Sequence, residues 1–131
     1  MKLIFTIAFG LICAAGFSQT QTDLNSAANI SWQSADKELN AIYKEILNTY
    51  EADTAFVQNL KVAQRIWISF RDAELKMKYP ETEPGFYGGI FPMCASLYLE
   101  KLTRARIATL KEWIDGVDEG DGCSGSVSLK E

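Results

Sequence analysis

Apolar residues recur every three or four positions through three stretches of this chain, and an unbroken apolar run opens it. Trp32, Ala35, Leu39, Ile42, Tyr43, Ile46, Leu47 and Tyr50 share one face of a helix, so the spacing predicts a first helix from a Ser31 N-cap to about Tyr50. Asp53 or Thr54 can cap a second helix reaching about Tyr79. Its stripe is Phe56, Leu60, Ala63, Trp67, Phe70 and Met77, and Pro80 ends it. A third helix starts near Pro92, with Leu99, Leu102, Ala105, Arg106, Leu110 and Trp113 inward and Gly116 as its stop. No stretch alternates as a strand does. The pattern predicts an all-α chain, a three-helix antiparallel bundle with a long Gly/aromatic loop between helices two and three.

The opening run is of another kind. Met1 and Lys2 lead into Leu3–Ala15, and Gly16 and Ser18 stand three and one residues before a cut after Ser18. This order describes a signal peptide over residues 1–18, too short for a permanent span of about 20 apolar residues. Cys13 follows Ile12, where a lipoprotein signal wants a small residue, so it is read as part of the removed segment. The expectation is an exported protein, periplasmic or secreted, with no transmembrane segment after cleavage. Residues 19–30 are polar and read as a flexible N-terminal segment, 31–115 as the helical domain and 116–131 as an acidic tail.

Charge narrows the partners. The full chain carries 13 basic against 17 acidic side chains, a net charge of −4. The acidic groups gather in the first segment and the tail, flanking a mildly basic middle. Nucleic-acid binding needs phosphate neutralisation, which this distribution does not offer. It would steer a basic partner instead. Beyond the leader, two cysteines remain, Cys94 and Cys123, and a lone pair in an oxidising compartment most simply forms one disulfide.

Little in the chain suggests chemistry. There is no histidine, which removes His-based triads and the commonest general base. No phosphate-cradling glycine loop is present. The tail run DGVDEGDG resembles a calcium loop, but with Gly122 as the turn glycine the first ligand position would be Val117. No metal and no cofactor are expected. Asp36, Asn40, Gln64 and Arg71 sit at the margins of the apolar stripes, and burying them costs several kcal/mol unless they bond one another. Asp36 as a general base fails on its own terms, because a neighbouring Arg71 would depress its pKa. A structural network is the expectation, and no catalytic residue is assigned.

The linker PETEPGFYGGIFP, from Pro80 to Pro92, holds Phe86, Tyr87, Gly88, Gly89 and Phe91. Such a loop is either a binding element or one whose aromatics fold back to cap the bundle; burial of aromatics favours capping.

Taken together, the segments Ala35–Leu47, Ala63–Glu74 (AQRIWISFRDAE) and Leu102–Leu110 resemble the LprI-type lysozyme-inhibitor domain, a family of small exported bacterial helical domains. The matching residues are Asp36, Leu39, Asn40 and Tyr43; Ala63, Gln64, Arg65, Trp67, Ile68, Phe70, Arg71, Asp72 and Ala73; Gly88 and Gly89; and Leu102, Thr103 and Arg106. The family's usual cysteine pair is replaced here by Leu75 and Tyr98. The resemblance thus implies a relocated staple from Cys94 to Cys123, tethering the tail. It also implies a protein partner, with lysozyme the leading candidate. The alternative is an envelope structural or scaffolding module with another bacterial partner. Among the loop residues, Phe86, Tyr87, Gly88, Gly89 and Phe91 are the expected contact set.

Overall fold

The computed structural model describes the backbone of residues 5–130 and the side chains of residues 20–130. The expected leader therefore has no described side chains. Three helices lie among the described residues: α1 (Phe5–Thr49), α2 (Thr54–Lys78) and α3 (Phe91–Asp115). No strand occurs among them, and none of these helices is long and apolar enough to cross a membrane.

The helix ends follow local chemistry. Asp53 caps α2 by accepting from the Phe56 N–H at 2.9 Å. Pro92 stands in the first turn of α3, where a missing N–H costs nothing, and Gly116 closes that helix at φ 71°.

Ala35, Leu39, Ile42 and Ile46 of α1 pack with Leu60 of α2 and with Ile107 and Leu110 of α3. Contacts rise together along α1 and α3: Asn25 meets Gly89, Ser31 meets Glu100, Glu38 meets Arg104 and Lys111, and Tyr50 meets Trp113. Contacts along α2 run the other way, from Phe56 beside Trp113 to Glu74 beside Tyr98. α2 approaches α3 closely at far fewer points than α1 does.

Several expectations are corrected. Residues 19–30 are helical rather than an irregular lead-in, and Ser31 is an interior residue whose hydroxyl donates to Glu100 Oε1 at 2.9 Å. Ala28 is buried, and Asn25 bonds the loop before α3, so tertiary contacts extend the helix past its polar sequence. Ala63, Phe70 and Met77 of α2 and Ala105 of α3 face outward. The inner line of α3 runs instead through Ser96, Leu99, Thr103, Ile107 and Leu110. Thr103 is fully buried because its hydroxyl donates to the Leu99 carbonyl at 2.8 Å.

Both cysteines are free thiols, so the expected Cys94–Cys123 disulfide and the tether it would provide are not formed. Cys94 lies in the first turn of α3. The segment holding Cys123 is fastened near Trp113, roughly 28 Å farther along the axis. A disulfide needs Cα atoms within about 7 Å. The tail is held by other means. Val117 N–H donates to Ser128 O, Lys130 N–H donates to Val117 O, Trp113 Nε1 donates to Ser126 Oγ and Tyr50 Oη meets Ser128 Oγ.

Two measurements check this packing. Leu39→Ala empties a site that is 1% exposed and should cost about 3 kcal/mol in urea unfolding. The outward Phe70→Ala should change little. Non-reducing peptide mapping should find no Cys94–Cys123 link; a recovered cross-linked peptide would contradict the placement of the tail.

Candidate functional site: an aromatic hollow between α2 and α3

Pro80 stops α2, and the chain must reverse within a dozen residues to begin α3. It does so through successive turns, in which Phe86 N–H donates to Glu83 O, Gly88 N–H to Gly85 O and Phe91 N–H to Gly88 O. Gly88 has φ 67°, a left-handed conformation that side chains with a Cβ resist. Two hydrogen bonds fix the loop from outside these turns. Tyr87 Oη donates to the Pro80 carbonyl at 2.8 Å, closing the ring of residues 80–87. Asn25 Nδ2 donates to the Gly89 carbonyl at 2.9 Å, and Gln21 orients that amide through Asn25 Oδ1.

Sequence left the fate of the aromatics open, and the structure divides them. Tyr87 and Phe91 fold back: their rings stack at 5.3 Å, and each meets Tyr79 edge-on at 5.4 and 5.3 Å. Phe86 stays 68% exposed, its ring edge-on to Tyr87 at 5.1 Å. Burial, reinforced by the neighbouring Cys94, raises the Tyr79 phenol above its ordinary pKa, so it stays a neutral wall. These rings, with Glu81 and Glu83, enclose a hollow of about 370 Å³. Aromatic faces beside carboxylates suit a cationic side chain.

The polar residues named from sequence form two groups, not one. Arg71 lies 3.6 Å from Asp36 and 2.8 Å from Asp72, and its guanidinium stands over the Trp67 ring at 5.5 Å. Asn40 Nδ2 donates to the Asp36 carboxylate and carbonyl. Gln64 is buried elsewhere, where its Oε1 accepts from Arg106 Nε at 3.1 Å. It leaves the Asp36 group because the α2 positions 64 and 71 lie two turns apart along the axis.

The family model for the lysozyme inhibitor LprI matches residues 13–110. The chain belongs to the LprI family. An uncharacterised protein of Rhizobium meliloti (strain 1021) is 34% identical over 110 residues, covering 76% of this chain and 77% of that protein. No solved structure matches. Within this LprI domain, Gly88 and Gly89 sit in the loop, while Arg71 pairs α2 with Asp36 of α1 and Asn40 braces that carboxylate. Sequence reading missed Tyr79, Asn25 and the two glutamates as parts of the site. The PETEP run places both carboxylates in the loop and could have pointed to them, but nothing local pairs Asn25 with a residue 64 positions away.

The loop makes a sharp contrast testable. Gly88→Ala should destabilise by roughly 1 kcal/mol from backbone strain, whereas Gly89→Ala, with no positive φ and open space, should be near neutral. Arg71→Met should cost only about 1 kcal/mol, because Asp36 is 40% exposed and water can serve the carboxylate once the guanidinium is gone. Equal melting temperatures for the two glycine variants would show that the turn differs from the one described.

Proposed function

We propose that this chain is an exported, non-enzymatic protein-binding domain that protects the cell envelope by blocking lysozyme, with the Tyr79–Phe91 hollow as its contact surface. Family membership over residues 13–110 is the supporting observation. The hollow supplies a physical route. Lysozymes are commonly basic, and an arginine or lysine side chain entering it would meet ring faces and the carboxylates of Glu81 and Glu83. Exposed Phe86 adds the apolar anchor that binding hot spots use. The chain's net charge of −4 has the sign that speeds encounter with such an enzyme. In this reading the helices form an up-down-up bundle that holds the hollow rigidly at one end. The protein works in the periplasm or outside the cell, after loss of residues 1–18.

One observation favours a second reading, an envelope scaffolding module with another bacterial partner. Val62, Ile66, Phe70 and Met77 follow one another along the outer face of α2 and are 49, 63, 50 and 67% exposed. A stripe of that kind suits a partner surface.

Turbidity assays of cell-wall lysis, run with the purified protein from Gln19 against several lysozyme types, separate the two. Slower lysis is expected with at least one type. Phe86→Ala should then weaken inhibition about tenfold, or about 1.4 kcal/mol, without moving the melting temperature. Tyr87→Ala should also loosen the loop, because that ring is packed. Undiminished lysis with every type would reject the inhibitor reading and leave the α2 stripe as the surface to pursue.

A further inference from the structure

A second hollow lies at the opposite end of the molecule, between the start of α2 and the end of α3. It measures about 440 Å³, within the usual range for small-molecule sites. Phe56, Leu60, Leu110 and Trp113 form its apolar floor, the Phe56 and Trp113 rings side by side at 6.2 Å, with exposed Ala63 at its rim and Arg106 at one end. The Trp113 indole is fixed by its bond to Ser126 Oγ at 3.0 Å. Asp53 lies at the other end, roughly 16 Å from the Gln64 level by helical rise, and is already committed to capping α2.

Arg106 is unlike the other arginines that pack between helices. Arg71 has Asp36 and Asp72, and Arg104 has Glu38 and Glu100. Arg106 is half-buried, and its one partner among the described residues is the neutral Gln64 amide, which takes Nε. Burial lowers its pKa, as expected of a cation withdrawn from water without a counter-charge. The two terminal nitrogens are left for a ligand. A carboxylate matches that fork in charge and geometry.

We propose that this cleft binds a free, single-chain aliphatic carboxylate, its head group on Arg106 and its chain lying across the apolar floor of Phe56, Leu60, Leu110 and Trp113. Orientation follows from the two ends: the guanidinium attracts the head, and Asp53 repels it. The site is separate from the aromatic hollow, and the proposal stands whether or not the protein inhibits lysozyme.

Calorimetric titration of the purified protein with decanoate below its micellar concentration, in parallel with 1-decanol, tests it. Decanoate should bind at least tenfold tighter, and the Trp113 indole N–H resonance should shift on binding. Arg106→Met should abolish the preference for decanoate while leaving the weak binding of decanol. Ala63→Trp, which fills the cleft from an exposed position, should abolish both without lowering the melting temperature, and this arm decides the matter if Arg106→Met fails to fold. Equal affinity for acid and alcohol, an unmoved Trp113 signal, or normal binding to Ala63→Trp would overturn the proposal. A Trp113 shift with phosphatidylglycerol vesicles, which offer anionic heads without a free chain, would also overturn it in favour of surface adsorption.

Discussion

Everything else in this molecule hangs on the burial of α1 against α3. Ala35, Leu39 and Ile46 of α1 and Leu110 of α3 are almost completely withdrawn from water, and Ile107 is nearly so. At about 25 cal/mol per Å² of apolar surface, such a seam outweighs the ionic contacts beside it. Those contacts still fix alignment. Lys111, and with it Arg104, holds the Glu38 carboxylate below its usual pKa by pairing with it across the two helices. That contribution is present at neutral pH and disappears as acid protonates Glu38. Being exposed, it is screened by salt and serves register more than stability.

α2 has a different standing. It contributes Leu60 and Gln64 to the buried interior, and much of its remaining surface meets water. A helix held at a few points leaves gaps beside it, and the two hollows described above lie toward its ends. Their charged linings differ. At the loop end, Glu81 and Glu83 stand beside aromatic rings; at the far end, a half-buried guanidinium and the Asp53 carboxylate stand at the two ends of an apolar floor. One small domain thus carries two differently charged recesses about one helix length apart.

The boundaries of α2 and α3 were legible in sequence because they are set by local chemistry: an aspartate cap, two prolines and a terminal glycine. The α1 stripe from Trp32 to Tyr50 was legible for a similar reason, since both neighbouring helices press on one face. Legibility failed where distant residues decide. Gln21 and Asn25 look like a flexible lead-in, and Ser31 like a helix start, until Gly89 and Glu100 are placed beside them. On α2, the inward line through Leu60 and Gln64 and the outward line through Ile66 and Phe70 share the same three-and-four spacing, so periodicity alone could not rank them. The cysteine pairing failed for want of a length: nothing in the spacing of Cys94 and Cys123 says that a straight helix of 25 residues holds their neighbourhoods apart. The loop glycines and aromatics were recognisable as a unit, but the partition of Phe86 outward from Tyr87 and Phe91 inward depends on Tyr79 and the Pro80 carbonyl.

The bond from Asn25 to the Gly89 carbonyl would make the shape of the loop sensitive to any trimming of the N-terminus. A cut after Ser18 would put the new end six residues before Asn25, with Gln21 in the first turn, where amide N–H groups lack helical acceptors and fraying is greatest. A peptidase acting one turn deeper would strip Gln21, leave Asn25 on the fraying edge and release the Gly89 carbonyl to water. The register of processing would then act as a tuning screw for the aromatic recess, with two forms of one gene product differing by a few residues at one end and in loop order at a site more than 60 positions away.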